Sequence, residues 1–311
     1  MKERPVCILG GSGFVGHHLV YRLVRAGHAC RLLVRHPERH RDLRLFAEID
    51  IRAARLSDPD ALQGDLEGCG TVVNLVGILN ESGHSTFDRV HVDLVKHLLA
   101  AARGAGVERY LHMSALNADA AKGPSQYLRS KGAGEDLAHA EAGAAIAVTS
   151  FQPSVIFGPG DHFFNRFATL LRISPGLFPL ACPQARFAPV YVGDVVAAML
   201  AALANPATHG QRYQLCGPEV FTLQQLVEYT AATIGRRTRV IGLSERTSRL
   251  QARVLGRLPG KPLSEDNYLS LQVPSLCRAD GLAALGLTAT EIGAVVPGYL
   301  ADAPRTEVTP T

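Results

Sequence analysis

Short apolar runs alternate with amphipathic stretches along the first half of the chain. The apolar runs predict strands at residues 6–9, 30–34, 49–53, 71–76, 109–113 and 147–151, and stretches with helical periodicity predict helices at 14–26, 90–105 and 125–141. Strands that are apolar at successive positions are typical of parallel sheets covered by helices on both faces. The pattern therefore predicts an α/β fold with a doubly wound parallel sheet.

The pattern changes after residue 153, where proline and glycine become frequent. A strand followed by a helix is predicted again at 190–204. A further helix at 222–234 begins with a capping box of Thr222 and Gln225 and ends at Gly235. We therefore predict a sheet domain made of residues 1–155 and 187–217, and a smaller C-terminal α/β domain made of 156–186 and 218–311.

A glycine-rich loop joins the first predicted strand to the first predicted helix. It fits the pattern G-x-x-G-x-x-G. Glycines let the backbone turn sharply and approach a pyrophosphate, while the helix N-terminus supplies free N–H groups. The strand before the loop and the helix after it fit a Rossmann-type dinucleotide site. The residues predicted to contact the dinucleotide here are Gly10, Ser12, Gly13, Phe14, Val15 and Gly16.

The end of the second predicted strand indicates which dinucleotide is bound. An acidic residue there accepts a hydrogen bond from a ribose 2′-hydroxyl, whereas an arginine accommodates a 2′-phosphate. Arg35 and His36 occupy this position, and the first acidic side chain is Glu38. We therefore predict NADP(H) in preference to NAD(H), with Arg35 and His36 in the site. Arg39 is equally compatible with a second phosphate contact and with a solvated surface charge.

Two further segments are predicted to contact the cofactor. Leu75, Val76 and Gly77 end the fourth predicted strand, where a glycine lets the backbone lie against a ligand. Asp58 follows the third strand, and its carboxylate is placed either to accept from the adenine amino group or to cap the next helix.

Tyr127 and Lys131 form a Tyr-x-x-x-Lys pair on a predicted helix. A spacing of four places both side chains on one helix face. An ammonium near a phenol favours the phenolate, so we expect Lys131 to lower the pKa of Tyr127. Tyr127 is then able to exchange a proton with a carbonyl or alcohol while a nicotinamide exchanges hydride.

These motifs resemble those of the extended short-chain dehydrogenases/reductases. The sequence is most similar to the atypical branch that includes the nucleotide-binding accessory subunit of respiratory complex I and its bacterial relatives. The resemblance covers roughly residues 5 to 300. Besides the glycine loop, the segments that carry it are His112-Met113-Ser114-Ala115-Leu116, Tyr127-Leu128-Arg129-Ser130-Lys131, Pro153-Ser154-Val155-Ile156-Phe157-Gly158, Pro189-Val190-Tyr191-Val192-Gly193-Asp194-Val195 and Cys216-Gly217-Pro218-Glu219.

The resemblance implies a Rossmann core with a smaller domain that closes over the cofactor. Lys131 would hold the nicotinamide ribose hydroxyls, and Pro153, Val155 and Ile156 would line the nicotinamide end. Catalytic relatives carry a Ser or Thr shortly after the fifth strand that polarises the substrate carbonyl. Ser114 is the candidate for that role, although Ala115 follows it. Catalytic relatives also tend to carry Asn in the helix after strand four, where this chain reads Val90-His91-Val92-Asp93.

Three functions follow from these motifs, and the sequence alone leaves open whether the protein is an enzyme. The first is an NADP(H)-dependent oxidoreductase that acts on a carbonyl or quinone-like substrate through Tyr127 and Lys131. The second is a non-catalytic NADPH-binding subunit or assembly factor of a respiratory-chain or quinone-biosynthesis assembly. A nucleotide-sugar epimerase or dehydratase is the weaker third alternative, because Gln152 stands where such enzymes often have Arg.

Composition excludes several other classes of protein. The 311 residues are 47% apolar and 19% charged, which excludes wholesale disorder. A formal net charge of +4 is not that of a dedicated nucleic-acid binder. The spacing of the twelve histidines and six cysteines predicts no metal site, and the scattered cysteines fit reduced thiols. No apolar run reaches the ~18 residues of a membrane-spanning helix.

The localisation expected from the sequence is cytoplasmic. The first strand begins near residue 6, so we expect no signal or transit peptide. Arginines recur at three- and four-residue steps with apolar residues between them. On a helix this gives either a solvated face or a basic amphipathic surface for anionic lipid or a membrane-associated protein complex, at the inner face of the membrane. These residues are Arg246, Arg249, Arg253 and Arg257.

Overall fold

A computed structural model describes residues 4–40, 43, 46–56 and 58–301. The strands of this part are β1 (Val6–Leu9), β2 (Cys30–Val34), β3 (Ile49–Ala53), β4 (Thr71–Asn74), β5 (Arg109–Met113), β6 (Ala147–Pro153), β7 (Ile156–Phe157), β8 (Leu177–Leu180), β9 (Arg186–Phe187), β10 (Val190–Tyr191), β11 (Arg212–Leu215), β12 (Phe221–Thr222) and β13 (Arg239–Gly242). The α-helices are α1 (Phe14–Arg25), α2 (Pro59–Leu66), α3 (Leu94–Gly104), α4 (Gln126–Glu141), α5 (Phe164–Ile173), α6 (Val192–Ala204), α7 (Leu223–Thr233), α8 (Glu245–Leu255), α9 (Glu265–Ser270), α10 (Gly281–Ala284) and α11 (Ile292–Leu300).

The central element is a seven-stranded sheet in the order β3-β2-β1-β4-β5-β6-β11. Every neighbouring pair in it is parallel. All residues of β1, β4 and β5 are buried, as expected for strands covered on both faces. The predicted α/β fold with a Rossmann-type, doubly wound parallel sheet is therefore confirmed.

Helices cover both faces of this sheet. One apolar cluster joins the sheet to α1 and α6 through residues such as Leu19 and Val195. A second cluster joins the opposite side chains of the strands to α2, α3 and the end of α4, through residues such as Leu62, Leu98 and Ala138. The strand ends between the two helix layers are therefore the exposed parts of the sheet.

A smaller set of elements packs beside the sheet around two apolar clusters of its own. It contains the two-stranded pairs β8–β13 and β9–β12, together with α5, α7 and α11. The proposed domain boundaries stay a prediction. One detail of packing departs from them, because Leu282 of α10 joins the cluster on the large sheet although its range was assigned to the smaller domain.

A disulfide connects Cys216 to Cys277, with a Cα–Cα distance of 5.9 Å. The expectation of reduced thiols is therefore wrong for these two residues. They are 61 residues apart in the chain, but α10 packs against β11, which brings the segments next to the two elements together. Sequence spacing does not reveal such a pair, because the contact depends on where a distant helix docks.

The helix predicted from residue 90 begins differently in the structure. Arg89–Asp93 forms a π turn, and the regular α-helix starts at Leu94. At this turn the His91 carbonyl meets α4 so closely that a Cβ on Gly134 would lie 1.9 Å from the His91 oxygen. Single π turns inside helices are frequent at functional sites.

None of the described helices is long and apolar enough to cross a membrane. Residues 302–311, which end the predicted C-terminal domain, lie outside the described residues.

Candidate active site and cofactor cleft

A cleft of about 870 Å³ opens at the carboxyl ends of β1, β2 and β4. Ligands of doubly wound sheets bind at this edge of the strands. Seven of the residues predicted from the sequence to contact a dinucleotide line this cleft: Gly10, Ser12, Gly13, Arg35, Leu75, Val76 and Gly77.

Glycines serve two purposes in the loop. One leaves room for a ligand at Gly13, and others let backbone segments of the loop pack so closely that a side chain would not fit. A Cβ on Gly16 would lie 2.2 Å from the Gly10 carbonyl oxygen, so Gly16 is required for packing within the loop. Gly10 has a φ of +78°, which favours glycine. By contrast, a Cβ on Gly13 would meet only the Gly10 oxygen, at 3.3 Å.

The start of α1 also fits an anionic ligand. Its N-cap is Gly13, no side chain caps its first turn, and no acidic residue lies in that turn. The N–H groups at the start of a helix have no partners within the helix and favour anions such as phosphate. Phe14 and Val15 begin this helix, so they contribute backbone rather than side chains to such a site. A dinucleotide therefore fits the residues present.

Arg35 and His36 both follow β2, but they differ in their contacts and in whether they line the cleft. Arg35 is exposed, lines the cleft and makes no hydrogen bond or ion pair with any residue that the structure describes. His36 contacts Glu38 instead, with 3.3 Å between Nδ1 and Oε1, and is not among the residues that line the cleft. Arg35 is therefore available to a ligand at the end of β2, as far as the described residues show.

Asp58 caps helix α2. Its carboxylate accepts a hydrogen bond of 3.1 Å from the Ala61 backbone N–H, and the residue is not part of the cleft lining. Of the two roles that the sequence left open, the structure shows the capping role.

Sequence reasoning missed residues of the cleft that follow β3 and β4. The loop after β4, the π turn and α3 contribute polar side chains, and Leu56 adds an apolar contact after β3. Arg89 also donates a hydrogen bond of 3.3 Å to the His84 carbonyl. No motif marks these positions, but each follows a strand that ends at the cleft, and that placement was the signal available. The polar residues are His84, Ser85, Arg89, Asp93 and His97.

Lys131 lies behind the cleft wall formed by Gly77. The residue is 5% exposed, and its ammonium donates a hydrogen bond to the Met113 carbonyl at the end of β5. A Cβ on Gly77 would lie 3.8 Å from Lys131 Nζ and 3.6 Å from His91 Nε2. Burial lowers the pKa of Lys131 to about 8, and nearby Glu135 partly opposes this. The glycine thus lets whatever occupies the cleft approach both side chains.

Tyr127 lies in the first turn of α4, and its ring packs edge-on against His91 and Phe87, with centroid distances of 5.7 and 6.1 Å. Burial raises the pKa of Tyr127 to about 12, and the Asp266 carboxylate adds to this. The expectation that Lys131 lowers the pKa of this phenol is therefore wrong for this structure. The Lys131 ammonium is held by a backbone carbonyl, while the phenol is desolvated and faces a negative charge.

Ser114 points into the protein. Its hydroxyl donates a hydrogen bond of 2.6 Å to the buried Glu135 carboxylate. The same carboxylate accepts bonds of 2.9 and 3.0 Å from Gln152 Nε2. This arrangement gives Ser114 and Gln152 partners inside the fold. The following residue, Ala115, is buried and has no hydroxyl to offer.

His91 lies in residues 90–93, the stretch in which the resemblance implies an Asn for catalytic relatives, and its ring is held neutral. Its Nε2 accepts a hydrogen bond of 3.1 Å from the Ile78 N–H, and its Nδ1 lies 2.8 Å from Ser130 Oγ. Since Ser130 Oγ donates to the Tyr127 carbonyl, Nδ1 is the donor of the His91–Ser130 bond. Burial, together with the charge of Lys131, lowers the pKa of His91 to about 3.

The segment after β6 lies at the same sheet edge as the cleft but is not part of its lining. The Pro153 carbonyl accepts from the Leu116 N–H at 3.0 Å, and the Val155 carbonyl accepts from the Val190 N–H at 2.9 Å. Ile156 begins β7. The assignment of Pro153, Val155 and Ile156 to the nicotinamide end stays a prediction.

The predicted basic surface is centred on α8. Arg249 and Arg253 are 59% and 54% exposed, and their Nε atoms lie 3.9 and 2.9 Å from Glu265 Oε1. Arg246 lies near the start of the helix, whereas Arg257 follows its end. Three apolar side chains of the same segment are also exposed: Leu250, Val254 and Leu258.

The model of the NAD-dependent epimerase/dehydratase family matches residues 6–216. This match covers the glycine loop, the whole cleft and the Tyr127–Lys131 pair. The chain belongs to this family. The resemblance to extended short-chain dehydrogenases/reductases that the motifs carry is therefore confirmed, and the chain is a nicotinamide-dinucleotide-binding protein of an oxidoreductase-like family.

Relatives of this family member have different functions. The chain is 31% identical over 228 residues to NADH dehydrogenase [ubiquinone] 1 alpha subcomplex subunit 9, mitochondrial, of Arabidopsis thaliana, covering 71% of this chain and 56% of that protein. It is 31% identical over 245 residues to the ceramide reductase of Caulobacter vibrioides, covering 77% of this chain and 74% of that protein. The chain thus spans little more than half the length of the complex I subunit.

A solved structure confirms the fold. The NADPH-dependent quinone oxidoreductase of Escherichia coli, complexed with NADPH, superposes with a TM-score of 0.75 at 20% identity, over 95% of this chain and 99% of that one. At this identity the likeness concerns the fold alone.

Proposed function

We propose that the protein is an NADP(H)-dependent oxidoreductase that reduces a carbonyl or quinone-like substrate. The observation that carries this proposal is the position of Lys131, whose ammonium would lie 3.8 Å from a Cβ on Gly77, a residue of the cofactor cleft. Tyr127 is one turn away on the same helix. The ceramide reductase among its relatives supports a reductive chemistry.

The residues of the chain have distinct tasks in this reaction. A reduced nicotinamide, when bound, supplies a hydride to the substrate carbon. Tyr127 donates its phenolic proton to the substrate oxygen, so that the carbonyl becomes an alcohol. Lys131 would bind the nicotinamide ribose hydroxyls. Pro153, Val155 and Ile156 shield the reacting end from water.

The preference for NADP(H) rests on Arg35. This guanidinium lies at the end of β2, lines the cleft and has no partner among the described residues, so it is free to contact a 2′-phosphate. Guanidinium groups bind phosphates with two parallel hydrogen bonds. Arg89 and His97 add positive or polar side chains to the same cleft.

A non-catalytic NADPH-binding subunit or assembly factor is the second candidate. Two points favour it. Ser114 donates to Glu135 instead of facing the cleft. The stretch after β4, in which the resemblance implies an Asn for catalytic members, reads Val90-His91-Val92-Asp93. The similarity to a complex I subunit supports the same candidate. A nucleotide-sugar epimerase or dehydratase has weaker support, because Gln152 is bound to Glu135.

The oxidation state and fate of the bound nucleotide distinguish these functions. The protein is purified without added cofactor, and the nucleotide released on denaturation is identified. NADPH absorbance of the native protein is then followed with a panel of quinones and carbonyls, for wild type and Tyr127→Phe. Oxidation by wild type, lost in Tyr127→Phe, supports the oxidoreductase. NADPH that stays reduced and does not exchange in either protein overturns it in favour of the subunit.

We also propose that the α8 surface binds anionic lipid, which would place the protein on the inner, cytoplasmic face of a membrane. Residues 236–261 contain seven arginines and one lysine against one glutamate, and Leu250, Val254 and Leu258 are exposed among them. Such mixed basic and apolar surfaces suit the lipid interface. Arg246→Glu with Arg257→Glu should abolish sedimentation with phosphatidylglycerol vesicles. Equal sedimentation of wild type and variant would exclude this surface.

A further inference from the structure

Helix α9 lies in the C-terminal range 218–311, called the smaller part below, and contacts the N-terminus of α4, the helix that carries Tyr127. Asp266 of α9 accepts two backbone hydrogen bonds there, at 2.7 Å from Gln126 N–H and at 3.1 Å from Tyr127 N–H. Ser270, one turn further along α9, donates to Ser125 Oγ at 2.8 Å. Two side chains from a segment about 140 residues away thus meet the first turn of α4.

These bonds complete the start of helix α4. The first N–H groups of a helix have no partner within it. Ser125 caps the helix, because its hydroxyl accepts a hydrogen bond of 3.1 Å from the Leu128 N–H. Asp266 accepts from the N–H groups of the two residues before Leu128. A carboxylate at this end of a helix is favoured by the helix dipole. Asp266 therefore fixes the backbone of Tyr127 through a charge-assisted contact.

The same segment also holds the loop that follows β4. Asn267 Nδ2 donates to the Leu79 carbonyl at 3.1 Å, and Lys261 Nζ donates to the Glu81 carbonyl at 2.6 Å. This loop connects Ile78 and His84, which both line the cofactor cleft. Residues 261–270 thus contact both the helix of Tyr127 and a wall of the cleft.

We propose that Asp266 is a positioning residue, which holds Tyr127 in place from the smaller part of the protein and keeps its phenol in the proton-bearing form. This inference rests on the proposed function for its catalytic meaning. Three titratable groups act on Tyr127 from the elements around it: His91 from the π turn, Lys131 from α4 and Asp266 from α9. His91 is neutral, and the Lys131 ammonium is bound to the Met113 carbonyl. Asp266 is the charge that opposes formation of the phenolate, and it raises the pKa of Tyr127 in the same direction as burial does.

The test measures ionisation of Tyr127 without substrate. The eight tyrosines are labelled with 13C at the ring, the Tyr127 resonance is assigned with Tyr127→Phe, and its pKa is followed by NMR. Asp266→Asn should lower this pKa by about one pH unit, as expected for removing a nearby like charge. Glu265→Gln is the matched control, because it removes a charge from the adjacent residue, whose carboxylate faces Arg253 instead.

An unchanged Tyr127 pKa in Asp266→Asn overturns the inference. If that variant does not fold, Asp266→Ser replaces it, since serine retains a capping oxygen without the charge. Where turnover is found, the alkaline limb of the pH profile of kcat/KM should move to lower pH in Asp266→Asn and not in Glu265→Gln. A wild-type protein without any turnover would contradict the proposed oxidoreductase, while the NMR titration would still decide the role of Asp266.

Discussion

The hydroxyl of Ser114 donates a hydrogen bond of 2.6 Å to the carboxylate of Glu135, inside the fold. Ser114 lies at the end of β5 and Glu135 one turn after Lys131 on α4, so the bond ties the central strand to the helix of the Tyr127–Lys131 pair. The Ser114 hydroxyl therefore faces helix α4. The candidate polarising group is therefore better explained as part of the buried polar contacts that hold α4.

Removing this hydroxyl should affect stability more than turnover. Ser114→Ala leaves the buried Glu135 carboxylate with one donor fewer, which we expect to cost about 1–3 kcal/mol of the free energy of unfolding. Any turnover should stay within about threefold of wild type, which corresponds to less than ~0.7 kcal/mol. Urea unfolding and steady-state kinetics measure the two effects.

The control is Ser154→Ala, which removes a buried hydroxyl that pairs only with uncharged groups of Ser275 and should cost less. A large loss of kcat in Ser114→Ala at unchanged stability would restore Ser114 to the catalytic machinery.

The sequence predicted those elements whose signal is local. Strands β1, β2, β3 and β5 have the predicted bounds. The capping box of Thr222 and Gln225 is present as predicted. By contrast, β4 ends at Asn74, two residues early, where the Asn74 side chain accepts from the Val76 N–H.

Features that depend on distant segments were not predictable in this way. The apolar pattern places Ser114 at a strand end, but it does not say that Glu135 lies on the helix behind it. Asp266 reaches Tyr127 from a segment 139 residues away along the chain, and the disulfide of Cys216 and Cys277 spans 61 residues. The Ser114 bond depends on how α4 packs on the sheet, the Asp266 contact on where α9 docks, and the disulfide on where α10 docks against β11. The sequence has no motif for any of these packing arrangements.

Gly13 is the position at which a side chain should block the dinucleotide and spare the fold. Its φ of −82° and ψ of 178° suit valine, and a Cβ there meets only the Gly10 oxygen at 3.3 Å. Gly13→Val should therefore fold normally and bind NADPH at least ~100-fold more weakly, about 2.7 kcal/mol. Titration calorimetry and circular dichroism measure this. Gly16→Ala is the contrasting variant and should unfold, because its Cβ would lie 2.2 Å from the Gly10 oxygen. Normal NADPH binding by Gly13→Val would exclude the loop as the pyrophosphate site.

Arg35 should determine the choice between the two dinucleotides. Arg35→Glu replaces a guanidinium of the cleft, which has no partner among the described residues, by a carboxylate. The carboxylate repels a 2′-phosphate and accepts hydrogen bonds from ribose hydroxyls. We expect the ratio of NADPH to NADH affinity to fall by about tenfold or more, or ~1.4 kcal/mol. Arg39→Glu is the control for net charge, because Arg39 is exposed nearby but does not line the cleft. An equal change in both variants would indicate a general electrostatic effect and remove Arg35 from the site.

Two buried histidines should make the protein sensitive to acid. Burial lowers the pKa of His91 from 6.5 to about 3, and it lowers that of His112 well below 6.5. Between these values and pH 6.5 the unfolded chain binds protons that the folded chain does not. The free energy of unfolding must therefore fall as the pH drops below about 6.5, by up to ~1.4 kcal/mol per pH unit for each histidine.

His112 offers the sharper test of this acid sensitivity. Both of its ring nitrogens are buried without a hydrogen-bond partner among the described residues, and its ring stacks on Tyr110 at a centroid distance of 6.1 Å. His112→Phe keeps an aromatic ring and leaves no described partner unpaired. We expect the pH slope of the unfolding free energy, measured with urea between about pH 5 and 7, to decrease by up to ~1.4 kcal/mol per pH unit. An unaltered slope in His112→Phe would mean that this histidine is protonated in the folded protein as readily as in the unfolded chain.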